Sequence, residues 1–345
     1  MNNGAERFQN WPRMYLALVF CMLLFVFSTT NLYADSQSIN DESYPLGTIQ
    51  NPINLLMVVY NSPMLPWTQA MQNGFIKGVN ETDLVVNVFT ESIYASITAG
   101  EKLSLDLSTL FTGKYQHIKF HGMYTESTDA KKHIDIFRAF NNDLNIPIYA
   151  FEYNEDITGK GFIKTSYQDE LALLESNAKI IALQRPKLQT LHVIRGTNIN
   201  LDFYQTELAS FLQTYLPGSG VVEVEYSSLG NLQQKIAQIP MSDAIMYFPV
   251  FYQEGQVRYT PRDFIKEIQG YSQTPIYTMW HSLLSDAVVG GTMLDAEAIG
   301  KNAVSTLLVA IETGRFPESM DIGMTVLDYQ QLQDYRLPVP NFIEN

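Results

Sequence analysis

Trp280 and His281 follow a short apolar stretch, Pro275–Met279, and Gly290 and Gly291 close the same segment. An imidazole at the end of a buried strand could serve as a general base, as a metal ligand or as part of the wall of a binding cleft. A catalytic histidine needs a nucleophile beside it, and a metal site needs further ligands within reach. The rest of the chain therefore decides among these three roles.

Sequence patterns for catalysis or metal binding do not accompany these residues. The chain has no G-x-S-x-G elbow, no H-E-x-x-H pair and no glycine-rich phosphate loop. His117 and His121 are four apart, but they fall in a predicted strand, on which they would lie about 13 Å apart. We therefore predict no catalytic residue, no metal site and no cofactor. Trp280 and His281 are predicted to line a ligand cleft; a core Trp beside a surface His is the alternative.

The first 34 residues have the order of a secretory signal peptide. Arg7 and Arg13 precede an unbroken apolar run, Met14–Phe27, and Ala34 is the small residue at the predicted cleavage site. This run is shorter than the stretch of about twenty residues that a spanning helix needs, so we expect cleavage and export to the periplasm. An uncleaved membrane anchor is the alternative.

Cysteine content and charge limit the possible functions further. Cys21, the only cysteine, lies inside the apolar run, so the cleaved chain would have no disulfide and no cysteine nucleophile. The chain carries 36 acidic and 22 basic side chains, a formal charge of −14. Phosphate binding depends on clustered Lys and Arg, so this balance argues against nucleic acid and against direct binding to anionic lipid.

Strand and helix patterns alternate along the rest of the chain. The nearly continuous apolar run Ile53–Tyr60 is typical of a strand buried on both faces of a parallel sheet. Helix and strand patterns then alternate up to about Tyr153, and the alternation restarts with a helical stripe in Gln168–Gln184. This order indicates an α/β fold with two doubly wound parallel sheets, whose ligand cleft lies at the carboxyl ends of the strands.

Polar and aromatic side chains follow the predicted strands at that carboxyl edge. In the first half of the chain, Trp67 lies near Asn61 and Thr68, and Glu91 directly follows the second strand. We predict that these four residues contact a ligand. The alternatives are structural: Trp67 could fasten the first helix to the sheet, Thr68 could cap that helix, and Glu91 could be a solvated loop charge.

In the second half of the chain, Phe248, Phe251 and Tyr252 end a predicted strand, and Arg195 follows another. Aromatic rings at this edge could stack on a flat or apolar ligand face, or they could pack between two lobes. The guanidinium of Arg195 could hold a carboxylate or a phosphate. Because Pro249 cannot donate to a strand ladder, we expect the strand to end or bulge there.

Four stretches resemble the sensor-type branch of the type 1 periplasmic binding proteins. The opening strand, Pro-containing loop and Trp-Thr helix start are similar in "INLLMVVYNSPMLPWTQAMQNGF". The aromatic strand, polar turn and Pro-started helix are similar in "AIMYFPVFYQEGQVRYTPRDFIKEI". The closing segment is similar in "PIYTMWHSLLSDAVVGGTMLDAEAIGKNAVSTLLVAIETGRFP", and "LDYQQLQDYRLPVP" resembles the C-terminal strand and tail. The resemblance covers residues 50–340.

The resemblance implies two lobes joined by a three-strand hinge, which close on a small-molecule ligand. It places residues 50–164 and 287–318 in lobe 1, and residues 165–286 and 319–345 in lobe 2. No kinase or cyclase pattern accompanies the domain in this sequence, so we expect it to report its ligand to a separate membrane sensor protein. One alternative is the substrate-binding component of an ABC importer, whose partner is a permease. A second is a secreted hydrolase that uses the same cleft.

Overall fold

The computed structural model falls into two compact units, Met1–Pro52 and Ile53–Asn345. In the first unit, residues 44–52 form a loop in which the Gly47 amide donates to the Asn51 carbonyl at 2.8 Å. The predicted signal peptide lies outside the described residues. All of the strands and helices named below belong to the second unit. The structure describes residues 44–59, 62–92, 107–126, 130–151, 162–196 and 201–340.

The first sheet has five parallel strands in the order β2-β1-β3-β4-β5. Side chains of β1 alternate between two hydrophobic clusters: Leu55 and Met57 enter one, Leu56 and Val58 the other. Both faces of the sheet are therefore apolar, and helices cover both. The strands are β1 Ile53–Val59, β2 Val86–Ser92, β3 Gly122–Thr125, β4 Ile148–Ala150 and β5 Ile163–Thr165, and the helices of this half are α1 Pro66–Asn80, α2 Leu107–Lys114 and α3 Ala130–Asn141.

The second sheet has six strands in the order β13-β12-β11-β8-β6-β7, all parallel except the edge strand β13. A separate antiparallel hairpin, β9–β10, follows β8. The strands are β6 Thr190–Ile194, β7 Gly220–Glu223, β8 Ala244–Tyr247, β9 Tyr252–Glu254, β10 Val257–Tyr259, β11 Ile276–Thr278, β12 Gly290–Leu294 and β13 Gly323–Leu327. The helices are α4 Tyr167–Gln184, α5 Leu201–Tyr215, α6 Leu229–Ile236, α7 Pro261–Gln269, α8 Ala296–Thr313 and α9 Tyr329–Asp334.

The chain passes between the two sheets three times: from β5 to α4, from β12 to α8, and from α8 to β13. Helix α8 packs closely along α1, where Gly74 and Gly300 bring the two backbones together. The predicted fold class, two doubly wound α/β halves with three crossings, is confirmed. The lobe ranges remain a prediction, and the pairing of β12 within the second sheet favours a crossing at Asp295 rather than at residue 287.

Three local predictions were wrong. Helix α1 begins at Pro66, so the buried Thr68 lies inside the helix and does not cap it. The strand predicted around His117 and His121 begins only after them, because the ring of His121 accepts a hydrogen bond from the Asn54 amide at 2.9 Å. The predicted C-terminal strand and tail contains helix α9, whose first turn is capped by the carboxylate of Asp328.

Glu170 is buried at the first crossing. Its carboxylate accepts hydrogen bonds from the hydroxyls of Ser166, at the end of the first sheet, and Tyr204, on α5. Burial raises the pKa of Glu170 and the charge of Asp169 adds to this, whereas the two hydroxyls lower it. The folded protein therefore retains this proton to a higher pH than the unfolded chain.

We expect Glu170→Gln to stabilise the protein progressively as the pH rises above the ordinary pKa of a glutamate. Below that pKa the carboxyl is protonated in both states, and its ionisation costs nothing. Between the ordinary and the raised pKa the folded state binds more protons, so wild-type stability falls with rising pH, and glutamine avoids this loss. Urea denaturation at several pH values measures the difference, and Glu175→Gln, an exposed change on the same helix, is the control. A difference that does not vary with pH would contradict the prediction.

Candidate functional site

A cavity of about 290 Å³ lies at the carboxyl edge of the two sheets. From the first sheet it receives Trp67 and its neighbours, which follow β1. From the second sheet it receives Phe251, which follows β8, and Trp280, which follows β11. The start of α7 forms the remaining wall. The cavity therefore occupies the place where the fold predicts a ligand.

Trp67 is held at the cavity by contacts within the first half of the chain. Its indole Nε1 donates to Glu126 Oε2 at 2.9 Å, and its ring is tilted against that of Phe151, with centroids 5.8 Å apart. Glu126 is buried and directly follows β3. The indole N–H is thus used inside the protein, and the ring is left to contact a ligand through its apolar surface.

Trp280 and Phe251 form the opposite side of the cavity. Trp280 is half-buried, and its ring makes a T-shaped contact with that of the fully buried Phe248, with the ring centroids 5.5 Å apart. Strand β8 ends at Tyr247, as predicted from Pro249, and Phe251 then reaches the cavity at half-exposure. Because the strand ends before Pro249, Phe248 stays in the core and Phe251 lines the cavity.

The polar part of the cavity comes from the first turn of α7. Thr260 caps this helix: its hydroxyl accepts from the Asp263 amide at 3.3 Å and donates to Asp263 Oδ2 at 2.6 Å. Pro261 occupies the first helical position, as predicted. Arg262 and Ser282 add one guanidinium and one hydroxyl to the lining. Most of the described lining residues are apolar. Of the polar ones, Thr260 and Asp263 already hydrogen-bond to each other in the helix cap.

A second cavity, of about 510 Å³, shares Phe251 with the first and is more polar. Arg195, which follows β6, and Glu223, the last residue of β7, form a two-point ion pair there at 2.7 and 2.9 Å. Tyr226 donates its hydroxyl to the Arg195 carbonyl at 3.1 Å, and burial raises the pKa of Tyr226 to about 12. The guanidinium of Arg195 is therefore already engaged by a carboxylate of the protein.

The structure brings five of the predicted ligand residues to these cavities. Trp67, Phe251 and Trp280 line the first, and Arg195, Tyr252 and again Phe251 line the second. Their contact with a ligand remains a prediction.

The other predicted residues lie elsewhere. Phe248 and Thr68 are fully buried, and exposed His281 is not among the residues that line either cavity. Glu91 lies on β2, where Lys114 at 2.5 Å and the hydroxyl of Tyr115 occupy its carboxylate. Asn61 lies outside the described residues.

Sequence reasoning missed Glu126 and the start of α7. Glu126 comes two residues after the predicted strand that ends at Tyr124, close to the strand-end position that selected Glu91. The Thr260-Pro261 pair was recognised only as a helix start, although a helix start at the carboxyl edge can line a cleft. Within the described residues, no group of three or more His, Cys, Asp or Glu side chains could hold a metal ion. No described helix has the length and apolar composition that crossing a membrane requires.

No protein-family model and no curated protein sequence matches the chain. Solved structures are similar to it in fold. An ABC domain in complex with L-Trp from Streptococcus pneumonia superposes with a TM-score of 0.57 at 11% identity, over 85% of this chain and 97% of that chain. A periplasmic sugar binding protein of an ABC sugar transporter from Legionella pneumophila gives a TM-score of 0.55 at 12% identity, over 79% of this chain and 100% of that chain.

A 5-methylthioribose transporter solute binding protein from Thermotoga lettingae gives a TM-score of 0.53 at 13% identity, over 85% of this chain and 89% of that chain. At these identities the likeness establishes the fold alone, which is that of the type 1 periplasmic binding proteins. The first of these neighbours is named as a complex with L-Trp and the other two as binding proteins of transporters, and none of the three is named as an enzyme. The resemblance to the sensor-type branch stays a prediction.

Proposed function

We propose that the chain is an extracytoplasmic solute-binding protein whose two halves close on a small molecule. The observation that carries the proposal is the cavity that Trp67 from one half lines together with Phe251 and Trp280 from the other. Three crossings between the halves allow each to move as a unit while the chain stays folded. Closure would remove water from all three rings together, which is a favourable use of apolar area.

The permease of an ABC importer is a better-supported partner than a membrane sensor protein. The sequence resemblance led us to expect a membrane sensor protein as the receiver of the closed form. One neighbour in fold is named as the periplasmic sugar binding protein of an ABC sugar transporter and another as a transporter solute binding protein, which supports the alternative that the chain delivers its ligand to a permease. We therefore place the ABC importer ahead of the sensor in this proposal.

A hydrolase in the same cleft is less well supported. Thr260 and Ser282 supply hydroxyls to the first cavity. His281, which is adjacent to Ser282 in sequence, is exposed and is not among the residues that line this cavity. A serine or threonine nucleophile needs a base within hydrogen-bond reach. The described lining therefore offers shape and stacking surface for a bound molecule, which suits binding without chemical change.

A thermal-shift screen against solutes tests the proposal. A ligand that binds only the folded state raises the melting temperature with the logarithm of its concentration. The compound that does so should be recovered chemically intact after prolonged incubation. Chemical conversion of the compound would indicate an enzyme instead of a binding protein. A screen of sugars, amino acids and amines in which no compound shifts the melting temperature would contradict the proposal.

Export is a separate prediction. If the signal peptide is cleaved after Ala34, the mature chain begins at Asp35, carries a formal charge of −15 and is recovered in the periplasmic fraction. Intact-mass measurement and N-terminal sequencing of protein expressed in a Gram-negative host check this. Recovery of the full-length mass from the membrane fraction would instead establish the uncleaved anchor.

A further inference from the structure

We infer that the ligand is an organic cation: a flat or apolar body that carries an ammonium group. The inference rests on the proposed function and names the chemistry of the molecule that the cleft takes. Three features support it: the aromatic lining of the first cavity, the carboxylate behind Trp67, and the charge balance of the two adjoining cavities.

The first feature is the set of ring faces. Trp67, Phe251 and Trp280 contribute three aromatic rings to a cavity of about 290 Å³. The negative faces of such rings attract a cation within about 6 Å, most strongly for Trp and where water is excluded. The same faces also stack on an apolar ring, so they can hold the body of the ligand as well as its charge.

The second feature is the hydrogen bond from Trp67 Nε1 to Glu126 Oε2, at 2.9 Å. Glu126 is buried, so its carboxylate acts on the indole through little water. A carboxylate that accepts from the indole N–H increases the electron density of the ring, and this strengthens the attraction of the ring face for a cation. A neutral acceptor would position the ring equally well but would lack this effect.

The third feature is charge. Among the described residues that line the two cavities, the carboxylates of Glu223, Glu225 and Asp263 outnumber the guanidinium groups of Arg195 and Arg262. Arg195 is matched by Glu223 in the two-point ion pair. The first cavity carries one charge of each sign, Arg262 and Asp263, so the acidic excess comes from Glu225 in the second cavity and from Glu126 behind Trp67. This balance favours an ammonium over a ligand carboxylate or phosphate.

Calorimetric titration with three indoles of matched size tests the inference. Tryptamine, tryptophol and indole-3-acetate carry short side chains at the same position of the indole ring. These side chains end in an ammonium, a hydroxyl and a carboxylate, respectively. We expect tryptamine to bind about tenfold more tightly than tryptophol, and indole-3-acetate to bind most weakly. Equal or tighter binding of indole-3-acetate would overturn the inference.

Two variants identify the source of the preference. Glu126→Gln keeps an acceptor for the indole N–H but removes the charge, so the tryptamine preference should fall about threefold or more, while tryptophol affinity stays the same. Glu312→Gln, an exposed change on α8 with the same effect on net charge, should leave the preference intact. If Glu126→Gln does not fold, Phe251→Leu removes a π face from a half-exposed loop position and should also reduce the preference. An unchanged preference in the folded variants would overturn the inference.

The titrations also distinguish failure of this inference from failure of the proposed function. Binding of D-ribose without binding of tryptamine would overturn the organic-cation ligand and leave the solute-binding proposal standing. Absence of binding by all three indoles would overturn the inference as well, and the wider thermal-shift screen would then decide the proposed function.

Discussion

Replacing Trp280 by alanine is expected to weaken ligand binding by about 2 kcal/mol or more, roughly a thirtyfold loss of affinity. The indole forms one wall of the first cavity and is anchored on Phe248, so its removal eliminates a stacking surface and leaves the cavity open to water. The melting temperature should also fall, because the contact of this ring with the buried Phe248 supports the core of the second half.

Titration calorimetry with a ligand found in the screen measures this effect, and His281→Ala is the matched control. His281 is the next residue, but it is exposed and does not line the cavity, so its substitution should leave affinity unchanged. A Trp280→Ala protein with a lowered melting temperature and wild-type affinity would make Trp280 a core residue only. In that case the ligand would be bound elsewhere.

Replacing Gly290 by alanine is expected to destabilise the fold by more than about 3 kcal/mol. The φ angle of Gly290 is +113°, in a region that favours glycine, and a Cβ at this position would overlap the carbonyl oxygen of Val326 on β13. Both the strained backbone and the contact with a neighbouring strand oppose a side chain. Gly290 begins β12, so the same substitution would disturb the strand that leads into the second crossing.

Urea denaturation measures the loss, with Gly230→Ala as the control. Gly230 lies in helix α6 and has open space where its Cβ would be, so alanine there should be neutral or stabilising by up to about 1 kcal/mol. A Gly290→Ala protein as stable as the Gly230→Ala protein would show that β12 can shift to accept a side chain.

The sequence predicted those parts of the fold that depend on local pattern. The apolar run of β1 indicated a strand covered on both faces, Pro261 marked the start of α7, and Pro249 marked the end of β8. Trp67 and Trp280 were predicted at the carboxyl edge because each follows a strand, and both line the cavity.

The remaining features depend on distant residues. Phe248 and Phe251 are three apart beside one proline, and the sequence does not distinguish their roles. Phe248 packs against Trp280 and Tyr204 in the core, whereas Phe251 lines the cavity. The bond between Trp67 and Glu126 joins residues far apart in sequence through the register of β1 and β3. The hairpin β9–β10 was read as a polar turn because its two strands have only three residues each.

Native mass spectrometry of freshly purified protein shows directly whether the cleft holds a small molecule. A closed cleft retains its ligand through purification, so we expect the mass of the chain plus one small organic molecule, which is lost when the protein is unfolded. The extra mass should disappear or diminish in Trp280→Ala, in which the cavity has lost a wall. Detection of the bare chain alone, in protein that also shows no melting shift with any solute, would contradict a role in solute binding.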